Sequence, residues 1–230
     1  RKQSRYIEVL DDIKVGQCKY GLGLSRPARL AIVSALSLDL NVPILVITDR
    51  ADRSALMMDE MGFWLPDHPR LLFPEPTPMF YEKAVWGAVT RQDRLTALNE
   101  LVDLQIPGKP KPERSPIFFT SLRAVMTRTM PRREFIISSK SVRTGQTISP
   151  EELRRSWVAL GYDAEDVVLD RGQFSQRGGI LDIWGMAERF PVRLDFFGNV
   201  IESIRQFDPT TQRTISKIEA VTITPSREYL

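Results

Sequence analysis

The sequence is short of two side chains on which many catalytic and metal sites depend. Its 230 residues include one cysteine, Cys18, and one histidine, His68. A lone thiol excludes an intrachain disulfide and fits a reducing compartment. One Cys and one His are too few for a zinc site of ordinary ligands. Ser-His-Asp catalysis would depend on His68, a loop histidine that we expect to be solvated, and no G-x-S-x-G elbow is present. The sequence therefore predicts no catalytic residues and no metal site.

Long apolar runs are also missing. The longest one near the predicted sheet covers residues 42–47, far short of a membrane span. No basic-then-apolar signal peptide opens the chain. We therefore expect a cytoplasmic protein without membrane contact. The first residue is Arg1 rather than methionine, which we interpret as the mark of a fragment of a larger protein.

A large charge excess is absent too. The net charge is +3, and 42% of the residues are hydrophobic against 27% charged. So small an excess does not establish nucleic-acid binding, and this composition is that of an ordinary globular protein. The length allows one large domain or two modest ones.

The first 130 residues alternate strand-like and helix-like patterns. Ser25 is placed as an N-cap, with Pro27 in the first turn of the helix that follows. Further helices are predicted at 52–63, 83–104 and 122–130. Strands are predicted at 43–48, 70–73 and 117–120. This order predicts an α/β domain over residues 1–130, with a parallel sheet flanked by helices.

The pattern changes near residue 131. Residues 135–138 are strand-like, and Ser149 with Pro150 opens a helix in which Glu152 completes a capping box. From residue 167 onward the sequence is β-rich, with glycine-containing turns at 171–172, 178–179 and 198–199. Residues 131–230 are therefore predicted to form a small antiparallel α+β domain.

Residues 21–28 occupy the place of a phosphate loop, between a weak first strand and the first helix. Such a loop has the form G-x-x-x-x-G-K-[ST], in which Lys binds phosphate and the hydroxyl binds magnesium. Counted from Gly21, Arg26 replaces the second glycine, Pro27 the lysine and Ala28 the hydroxyl residue. Proline has no N–H for a phosphate, and alanine cannot bind a metal. We predict a degenerate nucleotide loop with no cofactor, and the simplest interpretation is an ordinary strand–helix turn.

The strand at residues 192–197 leads into a two-residue hairpin turn, Gly198-Asn199. Alternation places one wholly apolar set on the core face, namely Val192, Leu194 and Phe196. The opposite face carries Arg193, Asp195 and Phe197. An aromatic ring beside an arginine on an exposed strand is the composition of an interface hot spot. Two alternatives stay open: a helix or loop covers Phe197, or a bulge turns it inward.

A second candidate lies at Arg177, which precedes Gly178-Gly179. Two glycines allow another backbone to approach closely, or allow a bulge, so Arg177 is a candidate to reach a partner carboxylate. The alternative is an ordinary surface arginine beside a turn.

Basic residues are concentrated between 106 and 133, where seven of them accompany one acid, Glu113. They are Lys109, Lys111, Arg114, Arg123, Arg128, Arg132 and Arg133. Such a stretch is able to follow a phosphate backbone, which makes a DNA-binding module the alternative function. A solvated face with no ligand explains the same composition.

Several of these motifs resemble one family. Residues 172–213, GQFSQRGGILDIWGMAERFPVRLDFFGNVIESIRQFDPTTQR, closely resemble the second domain of bacterial transcription-repair coupling factor (Mfd), and less closely that of UvrB. Residues 73–81, 91–98, 120–126 and 223–229 also follow the family order. The resemblance covers nearly the whole chain and identifies it as an N-terminal UvrB-homology region.

The resemblance implies a first domain with a helicase-type fold and a decayed nucleotide site, and a second domain that recruits UvrA to stalled RNA polymerase in nucleotide excision repair. The family's UvrA-contacting residues fall on Arg177, Arg193 and Phe197, and we expect Asp195 and Glu202 to act as rim charges. The ATP-dependent translocase motor and the contacts with RNA polymerase and DNA would belong to other parts of the parent protein, with the motor beyond residue 230. This chain is then expected to be non-catalytic.

Overall fold

A computed structural model describes residues 4–17, 21–76, 87–105 and 112–228. The helices within this part are α1 (Ser4–Lys14), α2 (Arg26–Leu40), α3 (Ala51–Trp64), α4 (Ala88–Asp103), α5 (Leu122–Met126), α6 (Arg132–Ser138) and α7 (Pro150–Ala159). The strands are β1 (Ile44–Thr48), β2 (Arg70–Phe73), β3 (Ile117–Ser121), β4 (Lys140–Arg143), β5 (Asp163–Ala164), β6 (Gln173–Arg177), β7 (Ile180–Ile183), β8 (Val192–Phe197), β9 (Val200–Phe207), β10 (Thr214–Ile218) and β11 (Ala220–Ile223). Among these helices, none is both long and apolar enough to cross a membrane.

The chain divides into two compact units. The first consists of Arg1–Glu75 and Pro107–Thr127, and the second of Pro76–Ile106 and Arg128–Leu230. The sequence-based division at 130/131 differs in two respects: residues 76–106, which include α4, group with the second unit, and the boundary lies at 127/128. The fold class is mixed α/β, with a parallel sheet in the first unit and a largely antiparallel one in the second.

The first unit is built on a three-stranded parallel sheet in the order β1-β3-β2, as the alternating pattern predicted. The central strand β3 is buried along its whole length. Leu30 of α2, Met61 of α3 and Leu65, directly after α3, form a core with Ile117 and Phe119 of β3. Burying this apolar surface is the main term that holds the helices on the sheet.

The second unit is built on a six-stranded sheet in the order β10-β9-β8-β7-β6-β5, antiparallel except for the β5–β6 pair. Helix α7 packs Leu153 and Trp157 into its core, where the Trp157 ring meets Phe174 edge-on at 5.7 Å between centroids. A smaller core joins α4 to α6 through Leu95 and Phe135. The predicted antiparallel domain is therefore confirmed in its main sheet.

One predicted strand is wrong and another stays a prediction. The weak strand expected before residue 21 stays a prediction, because residues 18–20 lie outside the described part of the chain. Further upstream the chain forms helix α1, whose less exposed residues recur at helical spacing: Tyr6, Val9, Leu10 and Ile13. The strand expected at 135–138 lies in helix α6, which starts directly after Pro131 and buries Phe135. Proline is well tolerated at a helix start, and packing of Phe135 then stabilises the short helix.

Two local predictions need correction as well. Helix α7 starts at Pro150 as expected, but Ser149 makes no side-chain cap hydrogen bond, so the capping box is not formed. His68 is buried rather than solvated. Its Nε2 atom lies 2.8 Å from the Ser37 hydroxyl and 2.8 Å from the Ser115 carbonyl oxygen. The histidine thus links α2 to the segment before β3 within the first unit.

Candidate partner-binding site

The β8–β9 hairpin forms at the predicted turn. Gly198, at a φ of +60°, and Asn199 connect the two strands, and Phe197 pairs with Val200 across the turn. A positive φ at the first turn position is the conformation that glycine adopts without strain. The Phe197 side chain is 80% exposed. This exposure excludes both alternatives, because a covering helix or loop, or an inward bulge, would have buried the ring.

A β-bulge in β9 keeps the core face apolar on both strands. Asp195 pairs with Ser203 and Phe196 pairs with Ile201, so Glu202 is the extra residue between the two pairs. The bulge allows Ile201 to face the core although it is three residues from the buried Ile204. Glu202 is exposed at the bulge, in a position compatible with the predicted rim charge.

The neighbouring β6–β7 hairpin lies directly beside this turn. A Cβ atom on Gly179 would lie 3.1 Å from the carbonyl oxygen of Phe196, and the Phe196 N–H donates to the Gly179 carbonyl at 2.8 Å. The predicted close approach of a backbone at Gly178-Gly179 is thus confirmed, and the approaching backbone is that of β8. Strand register places Arg177 on the same sheet face as Phe197, because Arg177 pairs with Ile180 and Ile180 pairs with Asp195.

The two candidate arginines meet at one buried carboxylate. Asp182 of β7 is 1% exposed and accepts from Arg193 Nε at 2.7 Å, from Arg193 Nη2 at 2.8 Å and from Arg177 Nη2 at 3.0 Å. The hydrogen bond to Asp182 is the main cause that raises the pKa of Arg193. Both guanidinium groups are therefore ordered by a common acid.

Arg193 differs from the expectation of an openly exposed side chain. It is 16% exposed, donates to the Gln212 side-chain oxygen at 3.0 Å and lies over the Phe207 ring at 4.6 Å from its centroid. Stacking and hydrogen bonding hold a planar guanidinium in one orientation. Arg177, by contrast, is 50% exposed. Of the three predicted UvrA-contacting residues, Phe197 and Arg177 are therefore more accessible to a partner than Arg193.

Asp195 is also engaged within the sheet. It accepts from the Ser203 hydroxyl at 2.5 Å and from Arg205 Nη2 at 2.7 and 2.8 Å. Its charge is therefore balanced within the chain, which weakens the predicted rim role of Asp195 relative to that of Glu202. We call the surface formed by Arg177, Arg193, Asp195 and Phe197 the hairpin face.

Sequence reasoning missed Asp182, Arg205 and Phe207 on this face. The signal for Asp182 was present, because a two-residue turn at 178–179 places Ser175 opposite Asp182 and Arg177 opposite Ile180. The pairing of Asp182 with Arg193 depends on the order of the strands, and no local pattern carries it.

The predicted nucleotide loop belongs to the first unit. Gly21 belongs to an irregular segment, while Arg26, Pro27 and Ala28 form the first turn of α2. An open cavity of about 340 Å³ lies beside this turn and carries four arginines, Arg26, Arg29, Arg50 and Arg53. Two of these are paired with acids, Arg50 with Asp52 and Arg53 with Asp49.

The predicted basic stretch is only partly within the described residues, because Lys109 and Lys111 lie outside them. Arg114 is exposed, whereas Arg123 lies 3.3 Å from Glu75 and Arg132 donates to the Gln105 carbonyl at 3.3 Å. At least two of the arginines in the stretch are thus engaged within the chain.

The sequence of this chain is similar to a known domain family and to several known proteins. Residues 141–229 match the UvrB interaction domain. The chain is 31% identical over 208 residues to the transcription-repair-coupling factor of Bacillus subtilis, covering 90% of this chain and 17% of that protein. It is 30% identical over 231 residues to that of Myxococcus xanthus, covering 98% and 19%. It is also 25% identical over 213 residues to UvrABC system protein B of Microcystis aeruginosa, covering 91% and 32%.

The chain spans less than a fifth of the length of these two coupling factors. Similarity nevertheless extends over almost all of it, and the matched domain contains both hairpins of the hairpin face. Residues 141–229 are therefore a UvrB interaction domain, and the chain belongs to the UvrB-homology region of the transcription-repair-coupling factor family.

Proposed function

We propose that the hairpin face is the surface by which this chain binds UvrA, and that the chain recruits UvrA to stalled RNA polymerase during nucleotide excision repair. The observation that carries the proposal is the exposed Phe197 ring at the tip of a hairpin whose adjacent arginines are already ordered. An exposed aromatic is costly to leave in water, and partners recover that cost by covering it.

The proposed division of roles follows from exposure and hydrogen bonding. Phe197 supplies the apolar centre that is desolvated on binding. Arg177 keeps free donors for a partner carboxylate, because one Nη2 hydrogen bond to Asp182 leaves most of its five N–H groups available. Arg193 is held closer to the sheet and defines the cationic side of the site. Glu202 and, less strongly, Asp195 contribute orientation and encounter rate as rim charges.

This arrangement also predicts the surface that UvrA offers. An apolar pocket is needed for the ring, with carboxylates at the side that faces Arg177. Such a pocket gives both a desolvated centre and charge-assisted hydrogen bonds, which together make an anchor of high affinity.

The first unit is proposed to be a helicase-like domain whose nucleotide site has decayed. A parallel sheet with α2 following a glycine-containing segment supports this, as do Pro27 and Ala28 at the positions of the lysine and hydroxyl residue. We further propose that the chain itself is not an enzyme and acts in the cytoplasm. The translocase motor and the contacts with RNA polymerase and DNA are proposed to belong to the rest of the parent protein.

A calorimetric titration of purified UvrA into the 230-residue chain tests the proposal. We expect binding that Arg177→Ala weakens by about tenfold, the loss of a moderately strong interface contact. Arg154→Ala is the matched control, because Arg154 is a surface arginine of the second unit paired with Glu151 at 2.7 Å. Absence of binding by the unaltered chain, or equal loss in both variants, would contradict the proposal.

A labelled DNA duplex tests the alternative of a DNA-binding module. The proposal predicts no tight binding of the duplex by this chain at low salt. Tight binding that falls steeply as salt rises would favour the alternative, since displaced counterions make such binding strongly salt-dependent.

A further inference from the structure

A buried carboxylate lies beneath the hairpin face. Asp182 is 1% exposed and belongs to β7, between the strands that carry the two candidate arginines. We propose that Asp182 is a positioning residue of the docking site: it holds Arg193 and Arg177 in the orientation that the partner binds. This inference rests on the proposed function of the hairpin face.

The hydrogen bonds of Asp182 match the shape of a guanidinium group. Arg193 donates from Nε to Oδ1 at 2.7 Å and from Nη2 to Oδ2 at 2.8 Å, a two-pronged pairing with one carboxylate. Arg177 donates from Nη2 to the same Oδ2 at 3.0 Å. One negative charge thus serves two positive ones, and the cluster keeps a single positive charge for a partner acid.

Strand register produces this cluster. Asp182 lies directly opposite Arg193 in the β7–β8 pair and opposite Ser175 in the β6–β7 pair. Arg177 is one pair nearer the turn, opposite Ile180, and reaches Asp182 diagonally. Both arginines lie within cross-strand reach of the acid because the sheet brings three consecutive strands into antiparallel order.

Arg177 depends on Asp182 more than Arg193 does. Arg193 is additionally fixed by Gln212 and by the Phe207 ring. Within the described part of the chain, the bond to Asp182 is the one side-chain hydrogen bond of Arg177. Removal of the acid would therefore free the more exposed arginine, the one that faces a partner.

Asp182 has two opposing effects on a partner acid. Its charge reduces the net attraction of the arginines, while its hydrogen bonds remove the rotamer freedom that long side chains lose on binding. We expect the second effect to be the larger, because Asp182 provides the side-chain hydrogen bond that holds the half-exposed Arg177, whereas Arg193 keeps Gln212 and the Phe207 ring. Without Asp182, Arg177 would move among several rotamers, and the site would have to be reassembled at each binding event.

The test compares Asp182→Asn in two backgrounds of the full 230-residue chain. Asparagine keeps the shape of the side chain and removes its charge. In the otherwise unaltered chain we expect UvrA affinity to fall about tenfold, as expected when two long side chains must be ordered on binding. In the Arg177→Ala background the same substitution is expected to cost clearly less, because one of the two positioned arginines is already absent.

Asp163→Asn is the matched control, since Asp163 pairs with Arg227 at 3.1 Å on the surface of the same unit. It is expected to leave affinity unchanged. Thermal unfolding of each variant reports the fold separately. Should Asp182→Asn lower the unfolding midpoint by more than about 5 °C, Asp182→Glu serves instead: it keeps the charge, displaces the carboxylate by one methylene, and is subject to the same comparison.

The outcomes are distinguishable. Equal loss of affinity in both backgrounds would show that Asp182 acts through the general stability of the sheet, and would overturn the inference. Tighter binding by Asp182→Asn would show that the acid competes with the partner, and would overturn it too. Absence of UvrA binding by the unaltered chain would instead remove the proposed function on which the inference rests.

Discussion

Truncation of Phe197 to alanine is the sharpest test of the hairpin face, because the structure sets its magnitude. An aromatic side chain buries about 200 Å² when fully covered. With 80% of Phe197 exposed, a partner can cover about 160 Å² of it, worth roughly 4 kcal/mol at about 25 cal/mol per Å². Ordering the side chain costs about 1 kcal/mol. The expected loss on Phe197→Ala is therefore about 2–3 kcal/mol, or roughly 30- to 150-fold in Kd for UvrA.

The same substitution should leave the fold intact. A side chain this exposed contributes within about 0.5 kcal/mol to the free energy of unfolding. Phe63→Ala is the matched control, since Phe63 of α3 is 89% exposed and lies in the first unit. Isothermal titration with UvrA measures the affinities, and circular dichroism measures the unfolding. An unchanged Kd for Phe197→Ala, or the same loss for Phe63→Ala, would refute the reasoning.

Three further predictions concern stability, measured by urea unfolding followed by circular dichroism. Arg94→Ala should lower the free energy of unfolding by about 3–5 kcal/mol, because it leaves the buried Glu228 carboxylate without its ion-pair partner. As a control, Arg154→Ala at an exposed ion pair should change the free energy of unfolding by less than about 1 kcal/mol. Similar losses in the two variants would contradict this prediction. Burial, with a smaller contribution from Asp103, raises the pKa of Glu188 in the folded protein. Protonation of Glu188 therefore stabilises the folded protein, and this stability is lost as the pH rises through the folded pKa. Glu188→Gln should consequently raise stability at pH 7 but not below about pH 4, the range of an unperturbed Glu pKa; a gain independent of pH would refute it. His68→Ala should cost about 2–3 kcal/mol through a cavity and lost hydrogen bonds to Ser37 and Ser115, and a change below about 0.5 kcal/mol would show that these bonds contribute little.

Much of the candidate site could be predicted from the sequence. The alternation in residues 192–197 correctly placed Val192 and Leu194 in the core, and the turn at Gly198 was confirmed. That alternation also placed Phe197 opposite the core, which its exposure confirms. These predictions succeeded because strand alternation and turn conformation are properties of a few adjacent residues.

Predictions that depended on distant partners were less successful. Residues 135–138 are apolar enough for a strand, yet Phe135 packs in a core shared with Leu95 of α4, and the segment is helical. His68 was expected in solvent because its flanking prolines indicate a loop; its burial depends on Ser37, 31 residues away, and on Ser115, 47 residues away. Short segments carry weak local preferences, so tertiary packing overrides them.

The sequence by itself determined the mixed α/β class with its parallel and antiparallel sheets, the β8–β9 hairpin and the side chains on its outer face. Each of these follows from period-two or period-3.6 patterns and from turn residues that act over a few positions. The tertiary structure decided the state of those side chains: which arginine is held against the sheet, which keeps free donors, and which acid orders both. Asp182 lies 11 residues before Arg193 along the chain and 2.7 Å from it in the fold, because strand order, rather than any local pattern, determines which residues become neighbours.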